Sequence, residues 1–239
     1  MLKNIIIILL LSVSINAASL GEISIGNLMG GSNVQNGDQP KKDSKKYKDL
    51  INFLTRSSNG EHTMYLAVIY LNGILTPDED GDTVKIDIDK SIKFFIKSIN
   101  LEYYQSSAIL GSLYLYNDKF KNKKDSFKKA KYYLSLAIKK EVYEATVALS
   151  SIYFYEDNVN KGLEFLHIGA KNNISTAQLS LATLYGYGSK DLKIKQNKLI
   201  GNNFLEDACK NKTKTKKVKE FCSSQKVINK NEVDKKWKK

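Results

Sequence analysis

Arginine is nearly missing from this 239-residue chain: Arg56 is the only one among 38 basic residues, the rest being lysine. Sequence-specific reading of a nucleic acid leans on the planar, bidentate guanidinium, so the scarcity argues against a specific nucleic-acid partner. Histidine and cysteine are as scarce, with two of each (His62, His167, Cys209, Cys222), too few for a Cys/His zinc cage. Two prolines exclude a proline-rich linker protein. No G-x-G-x-x-G, Walker loop or metal-spaced histidine pair occurs, so no cofactor and no metal site are predicted. After the first residues no apolar run approaches the roughly 20 residues that a membrane span requires. What is present is 42% hydrophobic residues, enough for a packed core, and a net charge of +13.

The start reads as an address. Met1-Leu-Lys3, an unbroken apolar run Ile5 to Leu11, and small residues ending at Ala17 have the order of a secretory signal peptide, with the cut predicted after Ala17. The mature chain is expected in the periplasm or secreted, where disulfides persist. Residues 18–45 hold glycines, Pro40 and a lysine run without helical periodicity, and read as a disordered leader.

From about Lys46 the pattern becomes helical and repeats. Four phrases recur: Leu66-Ala-Val-Ile-Tyr70, Leu110-Gly-Ser-Leu-Tyr114, Leu149-Ser-Ser-Ile-Tyr153 and Leu181-Ala-Thr-Leu-Tyr185, three of them followed two places on by Tyr116, Tyr155 and Tyr187. A second amphipathic segment follows each, with a small residue, an aromatic at +3 and another small residue at +7: Ser91/Phe94/Ser98, Ala130/Tyr133/Ala137, Gly162/Phe165/Gly169 and Gly201/Phe204/Ala208. These spacings place each set on one helix face. From the last small residue to the next phrase-ending Tyr is 16 residues three times (98 to 114, 137 to 153, 169 to 185), whereas the interval inside a repeat varies from 9 to 21. A fixed connection between repeats and an elastic one within them predict an all-α, right-handed α-solenoid of antiparallel helix pairs.

The phrases resemble the Sel-1-like repeat family, a relative of the tetratricopeptide repeat, whose unit looks like A-x-x-x-L-G-x-L-Y-x-x-G followed by K-A-x-x-Y-x-x-A-A. The second repeat matches best, through Ala108, Leu110-Gly111, Leu113-Tyr114, Lys129-Ala130, Tyr133 and Ala137. Gly162 and Gly201 stand where the unit has Ala, an expected cost in helix stability. The expected organisation is a signal peptide 1–17, a leader 18–45, an N-terminal capping helix 46–60, four repeats over 61–210, and a basic capping helix and tail 211–239, with the cap helix near 215–227. Ala208-Cys209 also resembles the Ala-Cys of the cysteine-rich Sel-1-like proteins secreted by Helicobacter. There the partner cysteine follows eight residues on; here Cys222 follows after 13, as though five lysine-rich residues were inserted. The resemblance implies one Cys209–Cys222 disulfide; two free thiols are the alternative.

Chemistry is less legible than scaffold. Asp78, Asp80, Asp82 and Asp89 fit positions 1, 3, 5 and 12 of a calcium loop, but Thr83 holds the glycine slot and Lys85 the hydrophobic one, so a solvated acidic loop is expected. Ser126-Phe-Lys-Lys129 and Ser223-Ser-Gln-Lys226 match S-x-x-K without the S-D-N and K-T-G that accompany it in penicillin-recognising enzymes. Relatives of the cysteine-rich type are often described as beta-lactamases, so the resemblance keeps a beta-lactamase or peptidoglycan-directed hydrolase as an alternative; no catalytic residue is assigned. His62 and His167 are read as structural or surface residues.

Residues 190–239 hold 16 lysines against six acids. The tail is either a solvated end or an attachment to an anionic envelope component, so a structural envelope protein held by its tail is a third reading. The resemblance implies a scaffold that binds a protein or peptide through its concave face. Tyr116, Tyr155 and Tyr187 are the expected contacts, and the protein is expected to be monomeric. Tyr70, Tyr114, Tyr153 and Tyr185 are expected as core anchors.

Overall fold

A computed structural model describes residues 44–73, 84–120 and 124–224. The expected signal peptide, nearly all of the leader, the acidic run 78–82 and the last residues of the tail lie outside them. The described chain is helical: α1 (Ser44–Arg56), α2 (Gly60–Asn72), α3 (Ile88–Asn100), α4 (Gln105–Tyr116), a 3-10 turn (Asp118–Phe120), α5 (Lys124–Lys139), α6 (Ala145–Tyr155), α7 (Val159–Lys171), α8 (Ser175–Tyr187), α9 (Lys198–Lys210) and α10 over 216–224. Two compact units divide it, one ending at Val142 and the other continuing from Tyr143. In both, helices pack as antiparallel pairs: α2 with α3 and α4 with α5 in the first, α6 with α7 and α8 with α9 in the second.

Two kinds of helix alternate. The helices that carry the recurrent phrase are buried on nearly every side; α4 buries every residue from Ser106 to Tyr114, and α6 every residue from Ala145 to Ile152. Their partners are amphipathic and bury a single narrow stripe: Ser91, Phe95 and Ser98 on α3, Gly162, Leu166 and Gly169 on α7. The i, i+4, i+7 spacing is what places those stripes on one side. The core of the second unit forms between them from Val147, Phe154, Leu166, Ala177, Leu181, Leu184 and Leu192. In the first unit Leu54 of α1, only 1% exposed, packs with Leu66 and Ile69 of α2.

The glycines on the stripes have a reason that composition hides. At Gly162 a methyl group would run into the Phe154 ring, and at Gly201 it would come within 2.6 Å of the Gly186 backbone and 3.0 Å of the Ala182 carbonyl oxygen. A side chain's end can move aside; a packed backbone resists. Gly201→Ala therefore sets helix propensity, which favours Ala by about 1 kcal/mol, against overpacking, which costs about 1–3 kcal/mol. We expect a net loss of stability, read as a lower midpoint in urea melts followed by circular dichroism; a gain would mean α8 and α9 are not in backbone contact at this point.

The constant interval of 16 residues has a hydrogen-bonded cause. After α3 the amide of Tyr103 donates to the Ser98 carbonyl (3.1 Å) and that of Glu102 to Ile99 (2.9 Å); after α5, Val142 donates to Ala137 (2.9 Å) and Glu141 to Ile138 (3.0 Å); after α7, Ile174 donates to Gly169 (2.9 Å) and Asn173 to Ala170 (3.1 Å). Each is a complete Schellman turn, a 6→1 bond enclosing a 5→2 bond. The turn's left-handed residue is Glu102, Glu141 or Asn173, with φ of 61°, 63° and 59°. Glycine is the usual occupant, so the three turns hold non-glycine residues in a conformation that L side chains rarely adopt. The small residue that opens each turn is also the last of its buried stripe, which locks turn and stripe in one register.

After α9 the pattern changes. Asn211 follows the helix, and its side-chain amide donates to the Asn173 carbonyl (2.5 Å) and to Gln178 Oε1 (3.2 Å). The loop 211–215 is about as long as the other inter-repeat connections, and α10 then returns to bury Val218 and Cys222 against Leu179 and Ala208. Cys209 and Cys222 form a disulfide with a Cα–Cα distance of 5.7 Å. It closes a loop of 13 residues, for which chain entropy gives about 3 kcal/mol of stabilisation. The corresponding pair one repeat earlier, Ala170 and Gln178, is joined by a hydrogen bond from the Gln178 amide to the Ala170 carbonyl (3.4 Å). The covalent staple strengthens a contact the fold already makes.

Candidate interaction site

The phrase-ending tyrosines and the aromatics of the second helices meet face to face in every pair. Tyr70 stacks on Phe94 (5.6 Å between centroids, 9° between planes), Tyr114 on Tyr133 (5.9 Å, 8°), Tyr153 on Phe165 (5.4 Å, 8°) and Tyr185 on Phe204 (6.2 Å, 15°). Near-parallel, offset rings at such distances add about 0.5–1.5 kcal/mol beyond the area they bury. The expectation of core anchors holds fully only for Tyr114, which is buried; Tyr70, Tyr153 and Tyr185 are half-buried, because one end of each stack reaches the surface. Burial first, and Asp89 second, raises the pKa of the Tyr114 phenol above the ordinary tyrosine value.

The surface end of three stacks carries a cation. The ammonium groups of Lys90, Lys129 and Lys161 lie 4.0, 5.3 and 5.1 Å from the ring centres of Tyr70, Tyr114 and Tyr153. The sequence held a signal for this that pattern reading missed: each lysine stands four residues before the aromatic of its own helix, one turn away on the same face. In the fourth repeat that position is Ile200, and His167 of α7 packs there instead, with its ring 6.1 Å from Tyr185 and 5.7 Å from Phe204 and its Nε2 3.3 Å from the Tyr185 hydroxyl. Burial lowers the His167 pKa below the usual histidine value.

The second tyrosines occupy a different place. Tyr116, Tyr155 and Tyr187 are each the last residue of a first helix, α4, α6 or α8. Tyr155 and Tyr187 are 61% and 74% exposed, while Tyr116 is half-buried. Beside Tyr187 the chain is turned by Gly188, whose φ of +71° with ψ of 176° no residue with a Cβ adopts easily. Gly73 ends α2 in the same conformation, with φ +70° and ψ 174°.

The S-x-x-K candidate assembles poorly. Ser126 is buried, Lys129 is turned onto Tyr114, and no hydrogen bond joins the two among the described residues. Both border an open groove of about 550 Å³ in the first unit, which Asp89, Lys93, Tyr114, Phe120 and Asp125 also line. Asp89, the last acid of the calcium-like count, is ion-paired with Lys119 (2.7 Å). His62 lies at the start of α2, where its Nδ1 is 2.9 Å from the Ser57 hydroxyl and its ring packs on Phe53. Among the described residues no three His, Cys, Asp or Glu side chains gather as metal ligands, and no helix is long and apolar enough to cross a membrane.

No protein-family model matches the chain, and no curated protein matches it significantly. Solved structures do match in fold. A Sel1 repeat protein from Oxalobacter formigenes superposes with a TM-score of 0.58 at 19% identity, covering 83% of this chain and 74% of that one. A protective antigen of uropathogenic Escherichia coli strains, displaying an SLR fold, superposes with a TM-score of 0.53 at 14% identity, covering 69% of this chain. The chain spans about a third of that antigen's length (33%). The fold is therefore the Sel1-repeat α-solenoid, which agrees with the resemblance read from the repeats.

Proposed function

We propose that the protein is an exported scaffold of the periplasm or cell envelope that binds another protein or peptide through its repeats, with Tyr155, Tyr187 and Tyr116 as contacts. The observation that carries this reading is the recurrence of a tyrosine at one register position, the end of the first helix, mostly solvent-exposed in two of the three repeats. Two residues before it, each helix carries the tyrosine of a stacked ring pair. A tyrosine on a rigid element offers area and a hydrogen bond at little entropic cost. Export is supported by the composition of residues 1–17 and by the disulfide, a bond kept in oxidising compartments. The hydrolase reading has less support, because Lys129 is turned onto a tyrosine ring rather than bonded to Ser126.

Site-specific photo-crosslinking in the producing cell tests the assignment. A benzophenone side chain at position 155 or 187 is expected to yield a discrete adduct with the same partner. At Tyr132, a tyrosine of α5 that is 63% exposed but lies on a second helix, none is expected. Adducts of equal yield from all three positions, or from none, would overturn the assignment.

A further inference from the structure

We propose that the disulfide-stapled C-terminal cap docks on the surface of an anionic phospholipid bilayer. This site is separate from tyrosine-based capture and does not depend on it. Residues 210–219 contain six lysines: Lys210, Lys212, Lys214, Lys216, Lys217 and Lys219. Two serve the fold, Lys210 through its ion pair with Glu206 (2.5 Å) and Lys214 through its hydrogen bond to the Asn211 carbonyl (2.9 Å). Lys212, Lys216 and Lys219 are exposed. Since α10 buries Val218 and Cys222, Lys216 and Lys219, three residues apart, fall on its outward side.

Lys216 and Lys219 stand in the first turn of α10, where the helix dipole favours acids, and their spacing sets like charges side by side. The other repeats close with a Schellman turn; here the loop 211–215, which holds Lys212 and Lys214, replaces it, and a disulfide holds the cap closed. Beyond Ser224 the sequence adds six more lysines against two acids. The type of cation points to the occupant. Fixed phosphate or carboxylate patterns are best read by arginine forks, which this region lacks, whereas lysines are hydrated point charges suited to a diffuse field of mobile headgroups. Each lysine near such a surface contributes about fivefold in partitioning, and salt weakens the effect.

Co-sedimentation of the chain from Ala18, without the apolar start, with phosphatidylcholine vesicles, with and without phosphatidylglycerol, tests this. Binding is expected only with phosphatidylglycerol and is expected to fall steeply with salt. The variant K212Q/K216Q/K219Q should bind on the order of a hundredfold more weakly. K97Q/K128Q/K139Q, with the same charge change at exposed positions of α3 and α5, should lose no more than a few-fold. The loop change K212Q alone, which leaves α10 untouched, should lower binding about fivefold, and circular dichroism checks that all variants keep their helices. Equal loss in both triple variants, equal binding to neutral vesicles, or retention on soluble polyphosphate with none on vesicles would each overturn the proposal.

Discussion

Inserting two residues between Asn172 and Asn173 should unfold the unit that continues from Tyr143. The insertion falls inside the turn in which Asn173 donates to Ala170 and Ile174 to Gly169, so both bonds are lost and the left-handed position moves out of register. It also lengthens the connection to α8, so the turn no longer sets the register of α8 on α7. Ala177, Leu181 and Leu184, all in the core with Leu166 of α7, would then face away from their partners. The Gly169 backbone lies close to Thr146 and Ala177, which leaves no space for a slipped alternative. Losing several buried contacts and two backbone bonds together exceeds about 4 kcal/mol, a large part of a domain's stability. Deleting Asp78 to Asp82, inside a repeat, should cost well under about 1 kcal/mol, because closure entropy changes slowly with loop length. Thermal melts by circular dichroism read both; equal tolerance at the two places would contradict a register set by the turns.

The repeats, the fixed interval and the disulfide were legible because each leaves a mark along one dimension. A buried stripe needs small residues at i and i+7, a Schellman turn needs a set number of residues, and Ala208-Cys209 matches the Ala-Cys of the resembling family, which implies the pairing over two free thiols. Contacts between faces were less legible. Periodicity places Gly162 and Gly201 on a buried stripe but does not say that the Phe154 ring and the Gly186 backbone press on them, so the glycines read as a cost. It groups Tyr70, Tyr114, Tyr153 and Tyr185 as equivalents, yet their burial differs with what covers each stack: the 3-10 turn sets Phe120 4.9 Å from Tyr114, and no such turn follows Tyr153. The lysines over the stacks were hidden by number, since three useful lysines do not stand out among so many. Tyr116, Tyr155 and Tyr187 were named by their recurrence, but their exposure differs, and sequence offers no sign of that.

Replacing Tyr116, Tyr155 and Tyr187 together by Ala should abolish capture of the partner while the helices stay intact. The second tyrosines end their helices, and two of them are mostly in solvent, so truncation removes little buried area. The stacks of Tyr114 on Tyr133, Tyr153 on Phe165 and Tyr185 on Phe204 remain. Contact residues of this kind carry about 2 kcal/mol or more each, and three lost together take a micromolar complex beyond detection. Ser126→Ala, which removes the only hydroxyl that the S-x-x-K motif places beside Lys129, should leave capture unchanged. The most direct measurement is therefore affinity capture from an envelope extract with the wild type, the triple tyrosine variant and Ser126→Ala, read by mass spectrometry. The scaffold account predicts the same partner with the wild type and Ser126→Ala, and its loss with the triple variant. Full capture by the triple variant, or loss with Ser126→Ala alone, would contradict it.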